Sequence, residues 1–247
     1  MHNAIKATIV VSMLTLVAAC GGSSKSTKSA AAPTSAPVSD AAFKTAATTA
    51  AKSVQIVASD LPAGWSGMPH EPNTTQLDLS PACTFFNAVD PWTNAVANIN
   101  SDDFTGPADS EIKSQAVAYR TVDVAKGDSS VASKLVTQCA DEIGRALEAS
   151  IVAGESGATA HVSLTPLVAS DLGGWTAGYK ASLSATSAAG EKTFSVVGAI
   201  LWKVSGRMIG TLEYSGSEAT PVDSSLIDTI KSLIAKRTAD ADATLPN

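Results

Sequence analysis

Apolar residues recur along this chain with two periods, and the change from one to the other marks its elements. After Ser39-Asp40, the residues Phe43, Ala47, Ala50 and Val54 stand at helical spacing and predict a first helix that ends near the Ser59-Asp60-Leu61-Pro62 break. From Leu61 to Pro107 the pattern dissolves among Pro, Asn, Asp and Gly, with one short helix expected at Pro91 to Ile99. Ser114 to Val124 then alternates as a strand does, Val117 and Tyr119 opposite Ala118 and Arg120. Past Gly127-Asp128 the period returns to four, with Val131, Leu135, Cys139, Ile143 and Leu147 forming one stripe on a helix from Ser129 to Ala149.

The second half alternates more regularly. Ala158 to Leu167 reads as a strand, followed by Trp175, Ala177, Tyr179, Ala181 and Leu183 opposite Thr176, Lys180, Ser182 and Ser184. Ala188-Ala189-Gly190-Glu191 turns the chain into Thr193 to Lys203, and Val204-Ser205-Gly206 turns it again into Arg207 to Tyr214, an antiparallel meander. A last helix is expected with Thr220 as its N-cap and Pro221 at its first position, its inner side marked by Val222, Leu226, Ile230, Leu233 and Arg237. Strands grouped between helices predict an α+β domain: an antiparallel sheet with helices packed mainly on one face.

Ahead of this domain, Lys6 precedes an apolar run from Ala7 to Val17 and small residues before Cys20, the order of an export signal. The run is too short to span a bilayer, which takes about 20 apolar residues. Val17-Ala18-Ala19-Cys20 resembles the bacterial lipobox, which implies cleavage before Cys20, lipidation (palmitate among the chains) on its thiol, and a lasting membrane anchor. The expected organisation is a lipoprotein signal peptide over residues 1–19, the lipidated Cys20 with a flexible Ser/Ala/Pro/Lys tether to residue 40, the α+β domain over 41–238, and a disordered tail over 239–247.

Charge narrows the partners. Removing residues 1–19 takes away Lys6 and no acid, which leaves 16 basic residues against 23 acidic ones, a net of −7. With no Lys/Arg run, nucleic acid is excluded as a partner and membrane contact is left to lipid. Beyond Cys20 the cysteines are Cys83 and Cys139. In an exported chain such a pair forms a disulfide, here one that pins the irregular segment over the buried stripe of the central helix; two free buried thiols are the alternative.

Asp60-Leu61-Pro62-Ala63-Gly64-Trp65, a Cys before a strand and another in the next helix, the glycine-turned hairpin Val204 to Ile209 and a terminal amphipathic helix together resemble a known type of domain. It is the sensor-like extracellular domain of actinobacterial lipoproteins, also carried outside the membrane by the mycobacterial kinase PknH. The resemblance covers residues 41–238 and implies a twisted antiparallel sheet flanked by helices and a ligand-binding cleft. It also implies two disulfides, of which this chain can form one, and it supplies no catalytic residue.

The residues offer little chemistry of their own. His70 and His161 stand outside any metal-binding spacing, and no nucleophile elbow or phosphate-binding loop occurs, so neither metal nor cofactor is implied. Ser110-Glu111-Ile112-Lys113 matches S-x-x-K without its companion motifs. The acidic pairs Asp102-Asp103, Asp141-Glu142 and Asp240 with Asp242 read as solvated. Trp175 and Trp202 fall on strand positions that face a core. Trp65 and Trp92, in the irregular segment, are candidate ligand-stacking residues or, for Trp65, a cap on the core. The reading that results is a membrane-anchored domain binding or sensing an envelope component or small molecule without catalysis. The alternatives are a lipid carrier between membrane and cell wall and a cell-envelope hydrolase.

Overall fold

The computed structural model of the chain describes residues 38–72, 76–87, 92, 94–153 and 157–247. The export signal, Cys20 and all but the last three residues of the tether lie outside them. The chain runs α1 (Asp40–Val54), β1 (Ser66–Met68), β2 (Ala97–Asn100), β3 (Asp103–Thr105), β4 (Glu111–Ala118), α2 (Val122–Val152), β5 (Thr159–Pro166), the short α3 (Ala169–Leu172), β6 (Ala177–Thr186), β7 (Lys192–Ser205), β8 (Met208–Ser217) and α4 (Ser224–Thr244). The eight strands form one sheet in the order β1-β3-β4-β8-β7-β6-β5, with β2 also paired to β4. Every pairing is antiparallel, and β2 and β3 share one edge of β4, so the expected α+β class holds.

Alternation along the strands divides the core in two. One face of the sheet carries Ile112, Ala116, Ala118, Leu201, Met208 and Leu212, covered by Phe43, Ala47, Ala51 and Val54 of α1 and by Ile227, Ile230 and Ile234 of α4. Contact there is close: a Cβ on Gly210 would stand 2.2 Å from Thr238 Oγ1, so glycine occupies β8 where α4 crosses it. The other face carries Val117, Tyr119, Tyr179, Ile200, Trp202 and Ile209 beneath Ala125, Ala132 and Val136 of α2. Two of the three long helices thus share one face as expected, and the longest packs opposite them.

Several boundaries differ from the sequence pattern for local reasons. Helix α2 begins at Val122 rather than Ser129, because Thr121 is its N-cap and accepts a hydrogen bond from the Val124 N–H; Gly127 and Asp128 sit inside the first turns. Its buried stripe passes through Ala132 and Val136 before reaching Cys139 and Ile143, since a spacing of four drifts around a helix of 3.6 residues per turn. Residues 97–99, expected to be helical, instead form β2 with Asn100 against β4. Asp223 rather than Thr220 caps α4, accepting from the N–H groups of Ser225 and Leu226. The tail expected to be disordered over 239–247 instead continues α4 to Thr244. There Ala241 and Leu245 are buried, and Arg207 donates to the carbonyls of Leu245 and Pro246 at 2.8 and 2.7 Å.

Two ties fix the irregular segments. Cys83 and Cys139 are joined in a disulfide with Cα atoms 5.9 Å apart, buried with Ile143 and packed by Leu77, Leu79, Leu147 and Leu164. The segment before β2 is therefore held on α2, as the cysteine count predicted. On the other face Arg237 makes a bidentate pair with Asp60, at 2.7 and 2.9 Å, and donates to the Gln55 carbonyl. At the far edge of the sheet Glu148 accepts the Val162 N–H at 2.8 Å, so a helix side chain partners β5, whose backbone has a strand on one side only.

Candidate functional site

On the α2 side the paired strands β4 and β8 change character along their length. Val117 faces Ile209 in the core, and the next pairs on that face are Gln115 with Thr211, Lys113 with Glu213 and Glu111 with Ser215. The alternation that buries an apolar residue at one end therefore brings titratable groups onto the same surface at the other. Lys113 Nζ stands 3.6 Å from Glu213 Oε1, with the side chains 9% and 18% exposed. On β3 Asp103 holds His70, Nδ1 to Oδ1 at 2.9 Å, at the border of the same network.

Charge is unbalanced here, one ammonium against the carboxylates of Glu213, Glu111 and Asp103. Burial raises Glu213, and although Lys113 opposes it, Glu111 and Asp103 add to it, so the carboxyl is pushed up to about 7. Burial also raises Glu111 against the pull of Lys113. For Lys113 burial works against the charge, yet Glu213, Asp103 and Glu111 outweigh it and hold its pKa above the ordinary value. Asp103 is lowered because the His70 hydrogen bond and the Lys113 charge overcome its burial.

Around this network lie two buried hydroxyls. Tyr179, fully buried on β6, and Thr211, 9% exposed on β8, have side-chain oxygens with no hydrogen-bond partner among the described residues. Tyr179 pairs with Ile200, which pairs with Glu213, so all three share the α2-side face. Burial raises the Tyr179 hydroxyl well above its ordinary value, and the Glu213 charge adds to this. A buried hydroxyl without a partner costs about 1–3 kcal/mol, so Tyr179 and Thr211 are held beside the ion pair at the expense of stability.

The residues singled out in the sequence are dispersed by the fold. Trp92 is buried and its Nε1 donates to Gln115 Oε1 at 3.0 Å, next along the strand from Lys113. Trp65 packs against the α1/α4 core and lies over Gly106, where a Cβ would stand 2.5 Å from its ring. It is a cap on the core, away from the network. Ser110 and Lys113 do not meet as an S-x-x-K pair does on a helix, because Lys113 sits on an extended strand where positions three apart face opposite ways. Asp103, expected in solvent with Asp102, is half-buried at the start of β3, whereas Asp102 stays exposed. His161 is exposed, 3.3 Å from Glu148. Cys20 lies outside the described residues. Sequence reasoning passed over Glu213 and Thr211, named Lys113 only within the S-x-x-K match and read Tyr179 only as an alternating strand residue; the signal present was polar residues continuing the alternation of Val117 and Ile209.

No protein-family model matches the chain, and no curated protein matches it. Among solved structures it is similar to the crystal structure of the extracellular domain of PknH from Mycobacterium tuberculosis, at 13% identity and a TM-score of 0.50, over 78% of this chain and 97% of that one. It also aligns with the solution structure of cyanobacterial PsbP (CyanoP) from Synechocystis sp. PCC 6803, at 12% identity and a TM-score of 0.30, over 75% of this chain and 87% of that one, too weakly to support an argument. The likeness to the PknH domain is one of fold, and to that extent the resemblance read from the sequence is borne out. Among the described residues no helix is long and apolar enough to cross a membrane.

Proposed function

We propose that the chain is an extracytoplasmic lipoprotein, anchored through lipid on Cys20, whose domain binds a small polar molecule or envelope component without catalysis. The export pattern before Cys20, the Cys83–Cys139 disulfide and the fold shared with a kinase's extracellular domain support the location. The observation that carries the binding function is the juxtaposition of the Lys113–Glu213 pair with the hydroxyls of Tyr179 and Thr211, which have no hydrogen-bond partner among the described residues. Those hydroxyls supply hydrogen bonds to a ligand, and the surplus of carboxylates over ammonium groups favours one that carries an amine or another cationic donor.

A cationic ligand stabilises ionised Glu213 and so expels its proton. Binding therefore strengthens as pH rises through about 7. Thermal-shift screening of the mature protein against amine-bearing and acid-bearing small molecules, at pH values on either side of 7, tests this. The expected result is stabilisation by amines that grows with pH. Stabilisation by acids alone, or by amines with no pH dependence, contradicts the assignment.

A further inference from the structure

On the opposite face of the sheet, α1 and α4 cover β4, β8 and part of β7 and leave the ends of β5 and β6 open. Here the sheet and the turn before α4 enclose a groove of about 430 Å³, within the range of small-ligand sites. Its wall is preformed. Gly216 lets the turn lie directly on β8, a Cβ there meeting Val222 N at 3.0 Å and Thr220 O at 3.2 Å. Ser217 Oγ accepts the Thr220 N–H at 2.9 Å and fixes the turn, and Asp223 caps the helix that follows.

The lining has one chemical character. Ser163 and Thr165 of β5, Ser182 and Lys180 of β6, and Tyr214 of β8 face the groove, and among the described residues none of their side chains makes a hydrogen bond or ion pair. Elsewhere in the chain such hydroxyls are consumed by helix carbonyls, as Thr45, Thr48, Thr229 and Ser232 show. Here they converge with free capacity both to donate and to accept. Lys180 is the one charged group of the lining. Asp228, whose charge reaches Tyr214, is paired with Lys231 at 3.9 Å. Val197, Pro221 and Val222 give the groove an apolar side.

We propose that this groove is a second binding site, separate from the α2-side network, and that it takes an acidic saccharide. A ligand dense in hydroxyls matches the three Ser/Thr side chains and Tyr214, its C–H face lies on the valines and proline, and a single carboxylate meets Lys180. A neutral apolar ligand would strand the hydroxyls and the ammonium, and a polyanion would find one cation.

Calorimetric titration of the mature protein with D-glucuronic acid and with D-glucose, which differ only at C6, a carboxylate against a hydroxymethyl group, tests the assignment. The acid is expected to bind about tenfold more tightly, the lower end of what one charge-assisted hydrogen bond contributes. Lys180→Ala, at an exposed position, is expected to abolish the difference, and Ser163→Ala with Ser182→Ala to weaken both sugars. Failure of D-glucuronic acid to bind overturns the proposal. So does equal affinity for the two, an unchanged difference in Lys180→Ala, or binding of acetate as tight as that of glucuronate, which would mark a bare anion site.

Discussion

Glu213 and Lys113 stand directly opposite each other on β8 and β4, 3.6 Å apart and both largely buried, in the polar continuation of a surface that elsewhere is core. The carboxyl is pushed up to about 7 from an ordinary 4.5. An acid whose pKa is raised by folding stabilises the fold in its protonated form; that contribution is complete below the unfolded pKa and is lost as pH rises through the folded one. The melting temperature is therefore expected to fall between about pH 5 and pH 8, with a loss of about 3 kcal/mol from Glu213, and Glu111, also raised by burial, acts in the same sense. Asp60 and Asp103, lowered by their partners, act in the opposite sense but only in the acid range below this window. Melting of Glu213→Gln across the same range checks the point: its profile should be flatter.

Removing one partner of the pair differs from removing both. Lys113→Met leaves three carboxylates facing one another without their cation and is expected to cost about 3–5 kcal/mol. The double variant Lys113→Met with Glu213→Leu replaces both charges by apolar volume and should recover most of that loss. Urea denaturation of the three proteins gives the comparison, and equal losses in the single and double variants would remove the ion pair from the account.

The disulfide should matter in proportion to the loop that it closes. Cys83 and Cys139 are 56 residues apart, which in the chain-entropy description is a contribution of about 4 kcal/mol. Cys83→Ser with Cys139→Ser is expected to lower stability by that order and to release the segment around Leu77 and Leu79 from α2. Hydrogen exchange should show lost protection at Cys83 N, which donates to the Ser80 carbonyl at 2.8 Å. Unchanged exchange there would mean that side-chain contacts such as those of Ser80 with Glu142 suffice to hold the segment.

Anchoring is separable from folding. Cys20→Ala is expected to move the protein from the membrane fraction to the soluble fraction while its melting temperature stays the same, because the domain begins beyond the tether. Membrane fractionation decides the matter, and persistent association of the variant would count against the lipid anchor.

What the sequence made legible was local and periodic. The alternation of β5 to β8, the stripe through Cys139 and Ile143, and the helical spacing after Ser39 each express one element's burial, and each element formed where its period lay. Boundaries depended on caps, so α2 starts behind Thr121, ahead of the expected Ser129, and Asp223 displaced Thr220 as the cap of α4. Residues 97–100 became a strand because β4 offers them an edge, which no local signal announces. The Asp60-Leu61-Pro62 motif was visible, but its role as the partner of Arg237, 177 residues away, was not. The α2-side network was hidden for the same reason: its members are brought together by register between β3, β4, β6 and β8, and no single segment contains more than two of them.

If the partnerless hydroxyls exist for a ligand, they cost stability in its absence. Tyr179→Phe and Thr211→Val delete those oxygens and keep the volume, so each is expected to raise stability by about 1–3 kcal/mol. The most direct test of the account is native mass spectrometry of the mature protein purified from its own host, in parallel with this double variant. The account predicts an additional bound mass on the wild-type protein that is absent from the more stable variant; a wild-type protein with no bound mass, or a variant that keeps it, would contradict the assignment of the α2-side network as the binding site.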